Sequence, residues 1–237
     1  YVREQLEQAY GTEVLYRGGL QVYTTLDLDM QHLAEQVARE KVAELRKGKA
    51  SNAALVAMDP QTGDVLAMLG SVDFYDTSIA GQVNVARSLR QPGSAIKPFT
   101  YLTAMEKLGW GPGTLVMDVV QSFPDGANPP YKPRNYDDKE YGPTNVRMAL
   151  ANSRNIPAVA TLNQVGLPAF LEVAHRLGIN SLDRPDYGLS LTLGGGDVTL
   201  LELTAAYATL DNGGLRVTPR TILRIEDQLG NVLLPET

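Results

Sequence analysis

Apolar positions along the 237 residues fall into two kinds of pattern, short runs with the period of strands and longer stripes with the period of helices. Leu20 to Leu26 alternates in the strand manner through Val22, Tyr23 and Thr24. Asp27 or Asp29 can then cap a helix reaching about Arg46, with Met30, Leu33, Ala34, Val37, Ala38, Val42 and Leu45 as its apolar stripe. Ala53 to Met58 and Val65 to Leu69 are two apolar runs joined by Asp59-Pro60-Gln61-Thr62-Gly63-Asp64, which predicts a hairpin. Unbroken apolar content in both runs predicts a sheet covered on both faces. Ala95 to Leu108 reads as a helix opening near Ser94. Asn145 to Ala151, Ala158 to Val165 and Leu167 to Leu177 follow as shorter ones. Thr199-Leu200-Leu201-Glu202 is a capping box opening a helix through Leu210, closed by Asn212-Gly213-Gly214. Leu215 to Ile225, broken by Pro219, and Asn231 to Leu234 return to strand, with a turn near Gln228-Leu229-Gly230. Between these elements, Gly109 to Tyr141 shows no sustained period and predicts a long loop rimming a site. Strand pairs flanking a helix-rich middle, without βαβ alternation, predict an α+β fold with an antiparallel sheet.

Composition narrows the chemistry. With 43% hydrophobic and 20% charged residues the chain is an ordinary globular one, and a net charge of −6 without a long basic run argues against nucleic acid as a partner. There is no cysteine, which excludes disulfides, thiolate metal sites and a cysteine nucleophile. His32 and His175 are the two histidines, each in a polar setting that marks a surface residue, so a Ser-His-Asp triad is hard to build. No cofactor or metal site is expected. No apolar run is long enough to span a bilayer. Tyr1 to Arg17, polar and closed by Gly18-Gly19, reads as a linker or the tail of a preceding module, and the length of the chain fits one large domain or two small ones.

Two short constellations stand out against this background. Gln91-Pro92-Gly93-Ser94-Ala95-Ile96-Lys97 places a serine and a lysine one helical turn apart. A serine hydroxyl needs a neighbouring base, and lysine is the best candidate this chain offers. Ser94 at a helix start gains from the positive end of the helix, and Lys97 among Ala95, Ile96 and Phe99 would be desolvated and release its proton more easily. Pro98, among the first residues of that helix, costs little because the first amide hydrogens have no intrahelical partner. Taken alone, Ser-x-x-Lys is most often a capping serine followed by a solvated lysine. The second constellation is Asn152-Ser153-Arg154-Asn155-Ile156-Pro157, a turn between two helices with Pro157 suited to the first position of the second. Ser153 and Asn155 can point the same way there to relay a proton and hold an amide. Alone they read as a plain helix cap.

Ser94-x-x-Lys97 followed by Ser153-x-Asn155 resembles the active site of penicillin-binding proteins and their β-lactamase relatives. Val22-Tyr23-Thr24-Thr25-Leu26-Asp27, Asp59-Pro60-Gln61-Thr62-Gly63, Arg90-Gln91-Pro92-Gly93-Ser94, Pro133-Arg134-Asn135-Tyr136-Asp137 and Ala206-Tyr207-Ala208 to Gly214 are similar to the transpeptidase domain of the class A, bifunctional members. The resemblance implies an antiparallel sheet with a helical subdomain. It also implies a nucleophile at Ser94, a base at Lys97, a proton shuttle at Ser153 and a substrate-amide contact at Asn155, with the backbone of Ser94 as an oxyanion donor. Implied partners are peptidoglycan stem peptides ending in D-Ala-D-Ala, and β-lactams that acylate the same serine. The implied location is the extracytoplasmic face of a bacterial membrane, with an anchor outside this chain. A D,D-carboxypeptidase, a β-lactamase or esterase, and a β-lactam-sensing or scaffolding module share these motifs and stay open. The family's third motif, Lys-Thr-Gly or Lys-Ser-Gly, is formed by none of the lysines here. The expectation is therefore that 18–237 is the N-terminal and central part of the transpeptidase domain, that the missing segment carries that strand of the sheet, and that these 237 residues alone acylate slowly or not at all.

Overall fold

The computed structural model describes residues 1–45, 48, 50–125 and 128–234. Their contacts divide into one unit of Tyr1–Ser88 with Tyr207–Thr237 and a second of Leu89–Ala206.

The first unit opens with helix α1 (Val2–Arg17), interrupted at Gly11 (φ +78°) and closed where Gly18 N–H reaches Val14 O. Strand β1 (Gln21–Thr24) leads to helix α2 (Leu28–Leu45), whose start is capped by Asp27 Oδ1 accepting from Met30 N–H at 2.9 Å. Only part of its predicted stripe is used: Ala34, Ala38 and Val42 are buried, whereas Leu33 and Leu45 stand exposed. Ala38 and Val42 pack with Leu69 and Val72. The predicted hairpin forms from β2 (Leu55–Met58) and β3 (Val65–Leu69), antiparallel with Leu55 opposite Leu69. Its burial differs from expectation. Val65, Ala67 and Leu69 are buried while Leu66 and Met68 are half-exposed, so one face is covered rather than two, and α2 lies on it.

In the second unit a 3-10 turn at Gly93–Ile96 precedes helix α3 (Lys97–Leu108). The α-helix thus opens three residues later than Ser94. Pro98 explains this: its ring would crowd the carbonyl of Ser94 in α geometry, and the tighter Lys97 N–H to Ser94 O bond takes that place. The segment expected to be a featureless loop holds β4 (Leu115–Asp118), β5 (Phe123–Asp125) and β6 (Asn128–Tyr131). β5 pairs with β6, and β4 pairs antiparallel with β7 (Gly142–Asn145). Strands of three or four residues, most of them carrying proline, are too short to show a period. Helix α4 (Val146–Ala151) is capped by Asn145, and α5 (Asn155–Val165) and α6 (Leu167–Arg176) come after it. Pro157 occupies the third position of α5, not the first, still within the turn whose amides lack helical partners. The capping box is made: Glu202 N–H donates to Thr199 Oγ1 and Thr199 N–H to Glu202 Oε2, both at 3.1 Å, at the start of α7 (Leu200–Asp211).

The core of this unit sits between α3, α5 and α6. Ile96, Phe99, Leu162, Phe170, Ile179 and Leu191 join in one cluster, and Tyr101, Val116, Val146, Ala149 and Ala158 in another. Back in the first unit, β8 (Ile222–Glu226) and β9 (Val232–Leu234) complete an antiparallel sheet of order β1-β8-β9. The strand predicted from Leu215 starts only at Ile222. Among the described residues no single helix is long and apolar enough to cross a membrane.

Candidate active site

Ser94 lies on the 3-10 turn with its side chain exposed, and its hydroxyl makes no hydrogen bond among the described residues. Two features fix that turn. Gly93 has φ +57°, and Gly194 (φ +92°) approaches so closely that a Cβ there would lie 2.3 Å from Gly93 N. Thr100 and Thr192 then share a buried hydroxyl hydrogen bond of 2.7 Å.

Lys97 is the opposite case. It has no exposed surface, in contrast to the solvated lysine its short motif alone suggests. Its Nζ donates to Ser153 O at 2.5 Å, Asn155 Oδ1 at 2.6 Å and Ser153 Oγ at 3.2 Å, three acceptors for the three hydrogens of an ammonium. Burial pushes its pKa down to about 8. The structure therefore brings Lys97, Ser153 and Asn155 into direct contact, and places Ser94 three residues away without a hydrogen bond to the amine.

Ser153 and Asn155 are presented by the turn between α4 and α5. Ser153 adopts φ +51°, a left-handed conformation costly for a residue with a Cβ, and its N–H bonds Leu150 O at 2.9 Å. Residues from the β4–β7 region grip the start of α5. Asn155 N–H donates to Asn135 Oδ1 at 2.8 Å, and Asn155 Nδ2 to Arg134 O at 2.8 Å. Arg154 stacks over Tyr141 at 3.3 Å from the ring centroid and faces the buried Asp118 at 3.8 Å. The sequence motifs assign no role to Asp118, Asn135, Arg154, Tyr141 or Gly194. The run Gly194-Gly195-Gly196 is a visible sign of close backbone approach, but nothing local marks Asp118.

A cavity of about 440 Å³ lies in the first unit among Thr24, Val65, Met68 and Thr221 and contains none of these groups. Among the described residues, no three histidine, aspartate or glutamate side chains cluster in a way that could hold a metal.

Residues 53–236 match the model of the penicillin binding protein transpeptidase domain. The chain belongs to that family. Penicillin-binding protein 1A of Rickettsia bellii is 36% identical over 190 residues, covering 80% of this chain and 23% of that protein. Penicillin-binding protein 2D of Bacillus subtilis is 35% identical over 233 residues, covering 97% of this chain and 32% of that protein. The crystal structure of penicillin-binding protein 1A from Haemophilus influenzae superimposes with a TM-score of 0.86 over 100% of this chain and 49% of that one; at 23% identity it shows the transpeptidase fold. The chain thus spans about a quarter to a third of the length of the curated penicillin-binding proteins it matches.

Proposed function

We propose that these residues form the acyl-transfer site of a peptidoglycan D,D-transpeptidase. Ser94 Oγ attacks the carbonyl of the penultimate D-alanine of a stem peptide and loses its proton to the neutral amine of Lys97. The tetrahedral intermediate collapses with release of the terminal D-alanine, whose amine is protonated through Ser153. An amine of a second stem peptide then displaces Ser94 and forms the cross-link. Asn155 contacts the substrate amide, and the N–H of Ser94 supplies an oxyanion donor, a contact worth about 3 kcal/mol in acyl transfer. β-Lactams acylate the same serine.

One observation carries this reading. A lysine with no exposed surface, its pKa lowered to about 8, is held by Ser153 and Asn155 one turn from an exposed serine. A base poised near neutrality is what general-base chemistry needs, and catalytic contacts are commonly looser without substrate, which suits the open Ser94 hydroxyl. The proposed setting is the extracytoplasmic face of a bacterial membrane, with the anchor outside these residues. The family's Lys-Thr-Gly contacts have no counterpart in the 237 residues, so this polypeptide alone should label poorly.

Labelling with a fluorescent penicillin and then locating the adduct by peptide mass spectrometry tests both points. The full-length protein should carry one adduct, on Ser94, lost in Ser94→Ala; an adduct elsewhere or none overturns the assignment. Fast stoichiometric labelling of the 237-residue form refutes the requirement for the third motif. Incubation with a D-Ala-D-Ala stem peptide and an amine acceptor separates the reaction classes, because a carboxypeptidase yields only hydrolysed product.

A further inference from the structure

Asn135 has every hydrogen-bonding position of its carboxamide in use. Its Oδ1 accepts from Asn155 N–H at 2.8 Å and Ile156 N–H at 3.4 Å, the first two amides of α5. Its Nδ2 donates to Asp118 Oδ1 at 2.7 Å and Lys139 O at 2.8 Å. The orientation is therefore forced: turning the group over would set oxygen against two oxygens and nitrogen against two N–H groups. Asn135 is 5% exposed and Asp118 has no exposed surface, so water cannot substitute for either partner.

The adjoining carbonyl acts on the side chain of the same target. Arg134 O takes the Asn155 Nδ2 donor at 2.8 Å, which leaves Asn155 Oδ1 turned to Lys97 Nζ at 2.6 Å. Asp118 extends the hold by one residue. Its Oδ2 faces Arg154 Nε at 3.8 Å, while Arg154 Nη1 lies 3.7 Å from Asp137. Thus Arg154 and Asn155 are each gripped from the 118–141 segment, and Ser153, in its left-handed conformation, is the residue before them.

We propose that Asn135 is a positioning residue for acyl transfer: anchored by Asp118, it caps α5 and holds the Ser153 carbonyl and the Asn155 carboxamide against Lys97. The proposal rests on Ser94 being the acylated nucleophile. Asn135 touches neither Ser94 nor Lys97 and acts through Asn155.

The test is fluorescent-penicillin labelling of the full-length protein, recording separately the acylation rate constant and the fraction finally labelled. Asn135→Ala should reach the wild-type plateau roughly tenfold to a hundredfold more slowly, the usual cost of losing a group that orients a reacting one. Asn135→Asp keeps an acceptor for α5 but opposes two carboxylates, and should be comparably slow. Adding Asp118→Asn restores the hydrogen bond between the two positions and should recover at least half of that loss on a logarithmic scale. A wild-type rate in Asn135→Ala overturns the proposal, as does a wild-type rate with a reduced plateau, which a merely structural role would give. Where Asn135→Ala does not fold, the exchanged pair decides: recovery of at least half of the Asn135→Asp loss on a logarithmic scale supports the proposal, and a folded pair that recovers less overturns it. Absence of a Ser94 adduct in the wild-type protein overturns the transpeptidase reading as well, and so is distinguishable.

Discussion

The two helix starts that meet at Lys97 are held by different physics. At α3 the restraint is steric and apolar: Gly93 against Gly194, Ile96 and Phe99 with no exposed surface, and one hydroxyl pair between Thr100 and Thr192. At α5 the restraint is polar, running through Asn135, Asp118 and Arg154. The first leaves the Ser94 side chain uncommitted and open to an incoming carbonyl. The second commits Ser153 and Asn155 before any substrate arrives. In the proposed reaction a nucleophile must move along its reaction coordinate, whereas the groups that tune a base act best when fixed, and the two restraints suit those two proposed tasks.

The largest expected effect lies where the two meet. Lys97→Ala should slow acylation by about 10²–10⁴-fold, the range for a lost general base, measured as the labelling rate at constant plateau. In the wild-type protein that rate should rise with pH to a midpoint near 8, the value set by burial. The stability consequence has a definite sign. The folded pKa lies below the ordinary 10.5, so the unfolded chain binds this proton more tightly. The resulting deficit is complete below about pH 8 and is relieved as pH climbs toward 10.5, which urea titrations across that window can follow. Lys97→Ala should flatten the trend.

Next comes the steric side. Gly194→Ala must accommodate φ +92° and a methyl 2.3 Å from Gly93 N, and should cost about 2–4 kcal/mol of stability while slowing labelling. Thermal melts that match wild type would mean that the close approach is not a restraint. Thr100→Val alone strands the Thr192 hydroxyl and should cost about 1–3 kcal/mol, whereas the double change to valine should be close to neutral. Additive losses in that cycle would show that the pair is not coupled. The smallest effect belongs to the polar start. Ser153→Gly relieves the left-handed backbone at φ +51° and should gain about 0.5–1 kcal/mol net, yet lose acylation rate with the hydroxyl that reaches Lys97. A gain in both would remove Ser153 from the chemistry.

The apolar start is readable where its causes are local, although its contacts to Thr192 and Gly194, the former 92 residues from Thr100, are not. Pro92-Gly93 marks the turn, Ser94 and Lys97 sit one turn apart, and the apolar neighbours of Lys97 foretell a depressed lysine. The hairpin around Asp59–Asp64 and the Thr199–Glu202 capping box are likewise signalled by their own short segments. The polar start is legible only as far as Ser153 and Asn155 themselves. Its supports come from 20 residues away at Asn135 and, beyond it, from Asp118 on a four-residue strand, where no periodicity reveals which face is buried. The helix stripe misleads in the other direction, since Leu33 and Leu45 continue the period of α2 but remain exposed.

The three oxygens around Lys97 differ in what they can return. A carbonyl and a carboxamide oxygen only accept, whereas the hydroxyl of Ser153, at the longest distance of 3.2 Å, can also donate. When the amine gives up a proton it keeps two hydrogens for the two shorter partners, so the bond to Ser153 is the one released, and in the proposed reaction the nitrogen lone pair is left for the proton of Ser94. The proton count of the Lys97 amine is thereby coupled to the orientation of one hydroxyl: Ser153 accepts from the ammonium and is set free to turn by the amine.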